Sequence, residues 1–314
     1  MNDELNLSII VPLYNEEESV HPLYEAITRS VETLALDYEI IFVDDGSVDD
    51  TFKIAAELAA SDKRLKVIKF RKNYGQTPAM AAGIDYASGK ILITMDGDLQ
   101  NDPDDIPAFM DKINEGNDIV VGWRHKRQDK LITRKIPSVI ANWIIGKVTG
   151  VPIKDNGCSL KAYRANIIKN VHLYSEMHRF IPAMTSITGA KIAEIKVNHH
   201  ARMFGKSKYG LSRIYKVLLD LLTIKTIVSF SSRPLLWFSI LAFPAAMLSS
   251  IGLIISLYVV FAQPSFSIVF TGVTLLFGAL TLFLVLVGAL GELIYKTGDV
   301  KFNRFALLTI KKIT

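Results

Sequence analysis

Along the first 125 residues, short uninterrupted apolar runs alternate with stretches whose apolar positions recur every three or four residues. Residues 7–11 have the pattern of a buried strand, and residues 38–43, 66–70, 91–95 and 118–122 read as further strands. Residues 49–60, 77–87 and 103–114 read as helices, and another helix starts near 15–19. The first strand is expected to end at Pro12, which cannot donate to a ladder. Thr77 reads as an N-cap with Pro78 at the first helical position. Strands alternating with helices predict a mainly parallel sheet covered on both faces. Ligands of such sheets lie beyond the carboxyl ends of the strands, and the polar clusters after Val11, Val43 and Met95 all fall there.

The pattern changes near the C-terminus, where Leu235 to Gly291 contains no Asp, Glu, Lys or Arg. Residues 236–262 and 268–291 are each long enough to cross a hydrocarbon core of roughly 30 Å, and Pro244 is placed to kink the first. Arg233 precedes the first span, Lys296, Lys301 and Arg304 follow the second, and the connector 263–267 is neutral. Positive flanks of this kind put both termini in the cytosol. Before the spans, Leu211, Ile214, Tyr215, Leu218 and Leu222 follow helical spacing opposite Arg213, Lys216 and Asp220. That segment reads either as a helix on the bilayer surface or as a core-facing helix. The expected division is a cytosolic domain over 1–210, a connector over 211–233, two spans within 234–294 and a basic tail over 295–314.

Net charge over 314 residues is +5, but its distribution is uneven. Residues 1–118 carry 10 Lys/Arg against 24 Asp/Glu, a balance of −14, and residues 119–232 carry 20 against 5, a balance of +15. One region suited to a cation and another suited to phosphates or an anionic membrane follow from that split. The single cysteine, Cys158, excludes an internal disulfide and points to a reducing compartment. The N-terminus has no signal-peptide pattern. A dinucleotide-binding fold is excluded because the turn after the first strand is Pro12-Leu13-Tyr14-Asn15-Glu16 and not glycine-rich. Gly205-Lys206-Ser207 lacks the upstream glycine and strand of a P-loop.

The sharpest chemical signal is Asp96-Gly97-Asp98-Leu99-Gln100 at a strand end. Two carboxylates one residue apart can share Mg²⁺ or Mn²⁺, with Gln100 adding a neutral oxygen and positions left for a diphosphate. A calcium loop starting at Asp96 is excluded, since it needs Gly and Glu where the chain has Asn101 and Pro107. Taken alone, two acids at a turn also fit a solvated loop.

Together with Val11-Pro12-Leu13-Tyr14-Asn15-Glu16, Val43-Asp44-Asp45-Gly46-Ser47 and Gly205-Lys206-Ser207-Lys208-Tyr209, that motif resembles the family-two glycosyltransferases of the GT-A fold. The likeness is to polyprenyl-phosphate glycosyltransferases, the group of dolichol-phosphate mannosyltransferase and its bacterial undecaprenyl-phosphate relatives, and covers about residues 5–210. It implies a GT-A (Rossmann-like) mixed sheet followed by a transmembrane hairpin. The implied activity is metal-dependent, inverting transfer of one sugar from a nucleotide sugar, UDP before GDP, to a polyprenyl phosphate at the cytosolic face of the inner membrane.

The resemblance assigns Pro12, Tyr14, Glu16, Val43 and Asp45 to the nucleoside pocket, with Asp45 reading the base edge. Asp96, Gly97 and Asp98 meet the sugar, and Asp98, Gln100 and Asp96 hold Mg²⁺ or Mn²⁺. Arg124, Arg134, Arg202 and Lys208 match positions that hold phosphates. The other cations of the basic half, among them Lys126, Arg127 and Lys130, read as a solvated or membrane-facing surface. Cys158 stands where some relatives carry a base, which leaves either no base or Asp155 in that role, with a loop cap equally open for Asp155. Arg164 reads as a phosphate ligand or a helix-surface charge, Met177-His178-Arg179-Phe180 as a border of the acceptor site, and Glu176 beside it as a catalytic candidate. His199-His200 reads as structural or as an edge of the substrate site and not as a metal pair, because strand neighbours point to opposite faces. Gly75-Gln76-Thr77-Pro78 reads as a donor-side loop or a plain helix start. Another membrane lipid as acceptor and a non-catalytic nucleotide-sugar-binding scaffold remain alternatives. A processive synthase lacks its Gln-x-x-Arg-Trp motif here, nucleic acid is excluded as a partner, and a homo-oligomer is left open.

Overall fold

The computed structural model describes residues 5–125, 142, 145–147, 150–171, 173, 177–186, 189–201, 233–262 and 268–308; for 186, 262 and 295–308 it describes the backbone alone. Arg134, Glu176, Arg202, Lys208 and the connector 211–232 therefore lie outside the described residues. The chain divides into two compact units, Met1–Leu222 and Thr223–Thr314.

The first unit is built on a seven-stranded mixed sheet in the order β3-β2-β1-β4-β6-β5-β7. Its strands are β1 (Leu7–Leu13), β2 (Tyr38–Asp44), β3 (Leu65–Lys69), β4 (Ile91–Thr94), β5 (Ile119–Arg124), β6 (Lys161–Arg164) and β7 (Ile192–Val197). Helices α1 (Val20–Glu32), α2 (Thr51–Ser61), α3 (Gln76–Tyr86), α4 (Ile106–Asn114), α5 (Ala165–Ile168) and α6 (Ile181–Ser186) connect them. Leu7, Ile9, Val11 and Leu13 enter a core beneath α1, α2 and α4, whereas Ile10 faces a second core with Ala79, Met80 and Ile84 of α3 and Ile181 of α6. A sheet buried on both sides is why β1 and β2 read as continuous apolar runs. Helix α1 is held by the stripe Val20, Leu23, Ile27 and Val31, all without exposed surface, each contributing about 1.5–3 kcal/mol of burial.

Pro12 does not end β1; the strand runs on to Leu13, with Pro12 opposite Val43. Leu13 O accepts from Asp45 N (2.8 Å) on the β2 side, and Ile10 O accepts from Met95 N (3.1 Å) on the β4 side. Peptide groups alternate sides along a strand, so the donor Pro12 lacks would face β4. There β4 has already stopped, at Thr94 opposite Ile10. The missing N–H removes no ladder bond.

Two strands were not anticipated. β6 inserts antiparallel between β4 and β5, and β7 pairs parallel with β5 at the edge. Because β6 runs backwards, its last residue, Arg164, lies opposite Ile91 at the start of β4, away from the carboxyl edge. Arg164 Nε and Nη2 donate to the carbonyls of Asn117 (3.1 Å) and Ile113 (2.8 Å), capping the end of α4. Neither a phosphate at the opposite edge nor a free surface charge describes it.

The second unit contains α7 (Pro234–Ala262) and α8 (Ile268–Leu308). The segments Pro234–Phe261 and Ile268–Ile294 are long and apolar enough to cross a membrane, and Pro244 sits inside α7 without ending it. Ser249 Oγ donates to Thr274 O (2.9 Å), Ser256 and Thr271 share a hydrogen bond (3.1 Å), and Leu235 N donates to Glu292 Oε2 (3.4 Å). These polar contacts join the two helices where apolar surfaces alone give little preference for association.

Candidate active site

The carboxyl edge of the sheet gathers the loops after β1, β2, β3 and β4. The first two are stitched together: Asn15 N donates to Ser47 Oγ (2.9 Å), Val48 N to Asn15 Oδ1 (3.0 Å) and Glu16 N to Thr51 Oγ1 (2.8 Å). Asn15 takes a left-handed backbone, φ 49°, which its short polar side chain tolerates. Tyr14 and Glu16 are therefore presented from one rigid turn, beside the end of β1 that carries Pro12.

Asp45, at the end of β2, is almost fully buried. Its Oδ1 accepts from Tyr74 N (2.7 Å), and its Oδ2 from Gly75 N (2.8 Å) and Asn73 Nδ2 (2.9 Å). Burial raises its pKa, opposed by those backbone donors. Both oxygens thus engage the loop before α3, and this is the partner the structure gives the carboxylate expected to read a base. Gly46 permits the approach: at φ +69°, an added Cβ would lie 2.3 Å from the Lys72 carbonyl carbon.

Residues 73–76 then cross to the next strand end. Gln76 Nε2 donates to Asp96 Oδ1 (2.5 Å), so one strap of chain touches the Asp45 and Asp96 carboxylates alike. Gly75-Gln76-Thr77-Pro78 is more than a helix start. Gly75 (φ 101°) is the N-cap residue of α3, and Thr77 Oγ1 is instead hydrogen-bonded to His178 Nδ1 (2.7 Å). Asn73 and Tyr74 were missed as site residues, whereas Gln76 belongs to the segment read as a donor-side loop. The signal that finds them is the one that found the others, a polar cluster directly after a strand at the carboxyl edge.

The Asp96–Gln100 loop packs on the end of β1, since a Cβ on Gly97 would come within 2.5 Å of Leu13 Cδ2. Asp98 Oδ1 accepts from Gln100 N (3.2 Å), and Leu99 between them has φ 58°. A left-handed leucine costs about 1–2 kcal/mol, and such strain concentrates at functional loops. The far side of the loop is held by residues 198–200: His200 N donates to Gln100 O (2.9 Å), His200 Nε2 meets Asp102 Oδ2 (3.0 Å) and Asn198 N donates to Asp105 Oδ2 (2.8 Å). His199 bridges Asn101, so the two histidines are structural neighbours of this loop. Asp96 and Asp98 supply hard oxygen donors, and that donor chemistry fits Mg²⁺ or Mn²⁺. Among the described residues no cluster of three or more His, Cys, Asp or Glu surrounds them.

Asp105 gives a pH test of this packing. Burial raises its pKa from 3.8 to about 6, so the folded chain keeps a proton that the unfolded chain loses between those values. Stability from this group is therefore highest below pH 3.8, falls as pH rises to 6, and stays reduced above it. Asp105→Asn is expected to melt higher than wild type at pH 7.5, with the difference shrinking toward pH 4. A variant that melts lower at pH 7.5 contradicts this reading of the loop.

Arg124, at the end of β5, grips Asp155 in a two-pronged ion pair, Nε to Oδ2 at 2.7 Å and Nη2 to Oδ1 at 2.8 Å. The pair is largely buried. Burial opposes the guanidinium charge, but Asp155 and, more weakly, Asp96 hold its pKa above the ordinary value. Cys158 packs beneath them, fully buried, with burial pushing its thiol up to about 12, so it is a packed residue and not a nucleophile.

Residues 8–171 match the family described as glycosyl transferase family 2. The chain is 48% identical over 234 residues, 73% of its length and 69% of the relative's, to a dodecaprenyl-phosphate galacturonate synthase of Rhizobium johnstonii. It is 35% identical over 295 residues, 92% of its length and 88% of the relative's, to an undecaprenyl-phosphate 4-deoxy-4-formamido-L-arabinose transferase of an Enterobacter species. Among solved structures it resembles glucosyl-3-phosphoglycerate synthase from Mycobacterium tuberculosis in complex with Mn²⁺ and uridine diphosphate. The TM-score is 0.55 at 16% identity, covering 71% of this chain and 79% of that one, a likeness of fold.

Proposed function

The chain belongs to glycosyl transferase family 2, and from that premise we propose that it moves one sugar from a nucleotide sugar onto a polyprenyl phosphate. The observation that carries the proposal is the gathering of Asp45, Asp96, Asp98 and Arg124 at one sheet edge, three of them joined through a single strap and loop. The acceptor class is supported by relatives that act on dodecaprenyl and undecaprenyl phosphates. The two apolar helices would keep the enzyme beside such a lipid.

In this reading Tyr14, Glu16, Pro12, Val43 and Asp45 form the nucleoside side, and UDP is the expected nucleotide. Asp96 and Asp98, with Gln100 beside them, would hold Mg²⁺ or Mn²⁺, which when bound offsets charge on the diphosphate. A phosphate oxygen of the acceptor attacks the anomeric carbon as the bond to the diphosphate breaks, with inversion. The acceptor is anionic near neutrality, so a strong base is dispensable. Asp155, with both oxygens on Arg124, serves better to aim that guanidinium than to take a proton. Arg124 faces the phosphates, and Arg134, Arg202 and Lys208 join it by resemblance. This reading puts both termini and the active site on the cytosolic side of the inner membrane, on the strength of the positive flanks of the two spans.

Gly46→Ala should push residues 72–75 off Asp45 and weaken uridine diphosphate binding by about tenfold, or 1.4 kcal/mol, read by calorimetry. Unchanged affinity would mean that the strap does not shape the nucleoside side. The function itself is tested with purified full chain, undecaprenyl phosphate, Mn²⁺ and a panel of UDP- and GDP-sugars, following nucleoside diphosphate release. Lipid-dependent release with one donor supports the proposal. Lipid-independent release points to another acceptor or hydrolysis, and donor binding without release favours the scaffold.

A further inference from the structure

Lys161 is the first residue of β6, between Thr94 of β4 and Val121 of β5. It shares a face of the strand with Tyr163 and is only 2% exposed. Its ammonium donates to two backbone carbonyls, Asn156 O and His178 O, both at 3.2 Å. Among the described residues no carboxylate forms an ion pair with it. Burying an ammonium without a paired acid is costly, and burial lowers this one to about pH 8. An apolar side chain of similar length would fill the same space at less cost, so packing alone does not account for a lysine.

The two carbonyls belong to segments that lead to opposite ends of the site. Asn156 follows Asp155, whose carboxylate aims Arg124. His178 is bonded to Thr77, and Thr77 follows Gln76, which holds Asp96. From one buried nitrogen, short strings of covalent and hydrogen bonds thus reach the guanidinium on one side and the carboxylate loop on the other.

We infer that Lys161 is a positioning residue: its ammonium ties the Asn156 loop to the His178 turn and so fixes the separation between Arg124 and Asp96. The inference rests on the sugar transfer proposed above, because it gives that separation a purpose, namely matching the diphosphate held between a cation and the carboxylate loop. Errors of about 1 Å in such a separation can lower turnover a hundredfold.

The test compares wild type, Lys161→Met, Thr77→Val and the double variant as full chains in detergent, each assayed well below its melting temperature. Both single variants should lose about tenfold or more in kcat, with donor KM within about threefold of wild type. Because both act through the His178 turn, the double variant should lose far less than the product of the two single losses. A Lys161→Met enzyme with wild-type kcat overturns the inference, and so do losses that multiply in full. If Lys161→Met does not fold, Thr77→Val decides alone: a folded variant with unchanged kcat overturns the inference, and a tenfold loss at constant donor KM upholds it. Wild-type turnover separates the two claims. Without it the proposed transfer fails, whereas with it and unimpaired variants only the role of Lys161 fails.

Discussion

Asp98→Asn should reduce sugar transfer at least a hundredfold, about 2.7 kcal/mol in the barrier, while leaving the melting temperature nearly unchanged. The asymmetry follows from the geometry. Asparagine keeps an Oδ1 that can accept from Gln100 N as Asp98 does at 3.2 Å, so the loop retains its turn. The negative charge that would bind a divalent cation is lost. Direct titration of Mn²⁺ by electron paramagnetic resonance should show weaker binding in the variant. Retained Mn²⁺ affinity with full turnover would remove Asp98 from the metal site.

The largest loss of stability is expected from Arg124→Met. It leaves the Asp155 carboxylate, 5% exposed in its side chain, without the guanidinium that holds both of its oxygens. Removing one partner of a buried pair costs about 3–5 kcal/mol, whereas replacing both by apolar groups is often neutral. Arg124→Met/Asp155→Leu should therefore recover most of the melting temperature lost by Arg124→Met. It should not recover turnover, because the guanidinium proposed to meet phosphate is still missing. If the double variant regains activity with its stability, Arg124 is a structural residue and its role at the phosphates is wrong.

Local signals made part of this architecture legible. β1 through β5 are apolar runs between amphipathic helices, and the loops after β1, β2 and β4 carry polar clusters that mark the ligand edge. The apolar hairpin is visible from the absence of charge alone. β6 was not legible because Lys161-Ala162-Tyr163-Arg164 has no local strand pattern. Its conformation is set by pairing with β4 and β5 and by burying a lysine that composition alone would place on the surface. That miss carried a second one, since only an antiparallel β6 explains why Arg164 lies opposite the start of β4, away from the carboxyl edge. Pro12 misled for the opposite reason: its local rule holds, but tertiary context places the missing donor where no strand waits. The roles of Gln76 and Thr77 depend on partners 20 and 101 residues away, a relation no local pattern encodes.

The central claim concerns the product, and mass spectrometry of the lipid fraction addresses it most directly. Wild type and Asp98→Asn would be incubated with undecaprenyl phosphate, Mn²⁺ and the donor that supports turnover, and the lipid would be extracted. The account predicts a lipid heavier than undecaprenyl phosphate by one sugar residue, formed in step with nucleoside diphosphate release and nearly absent with the variant. Nucleotide release with unmodified undecaprenyl phosphate, or equal product from Asp98→Asn, would contradict it.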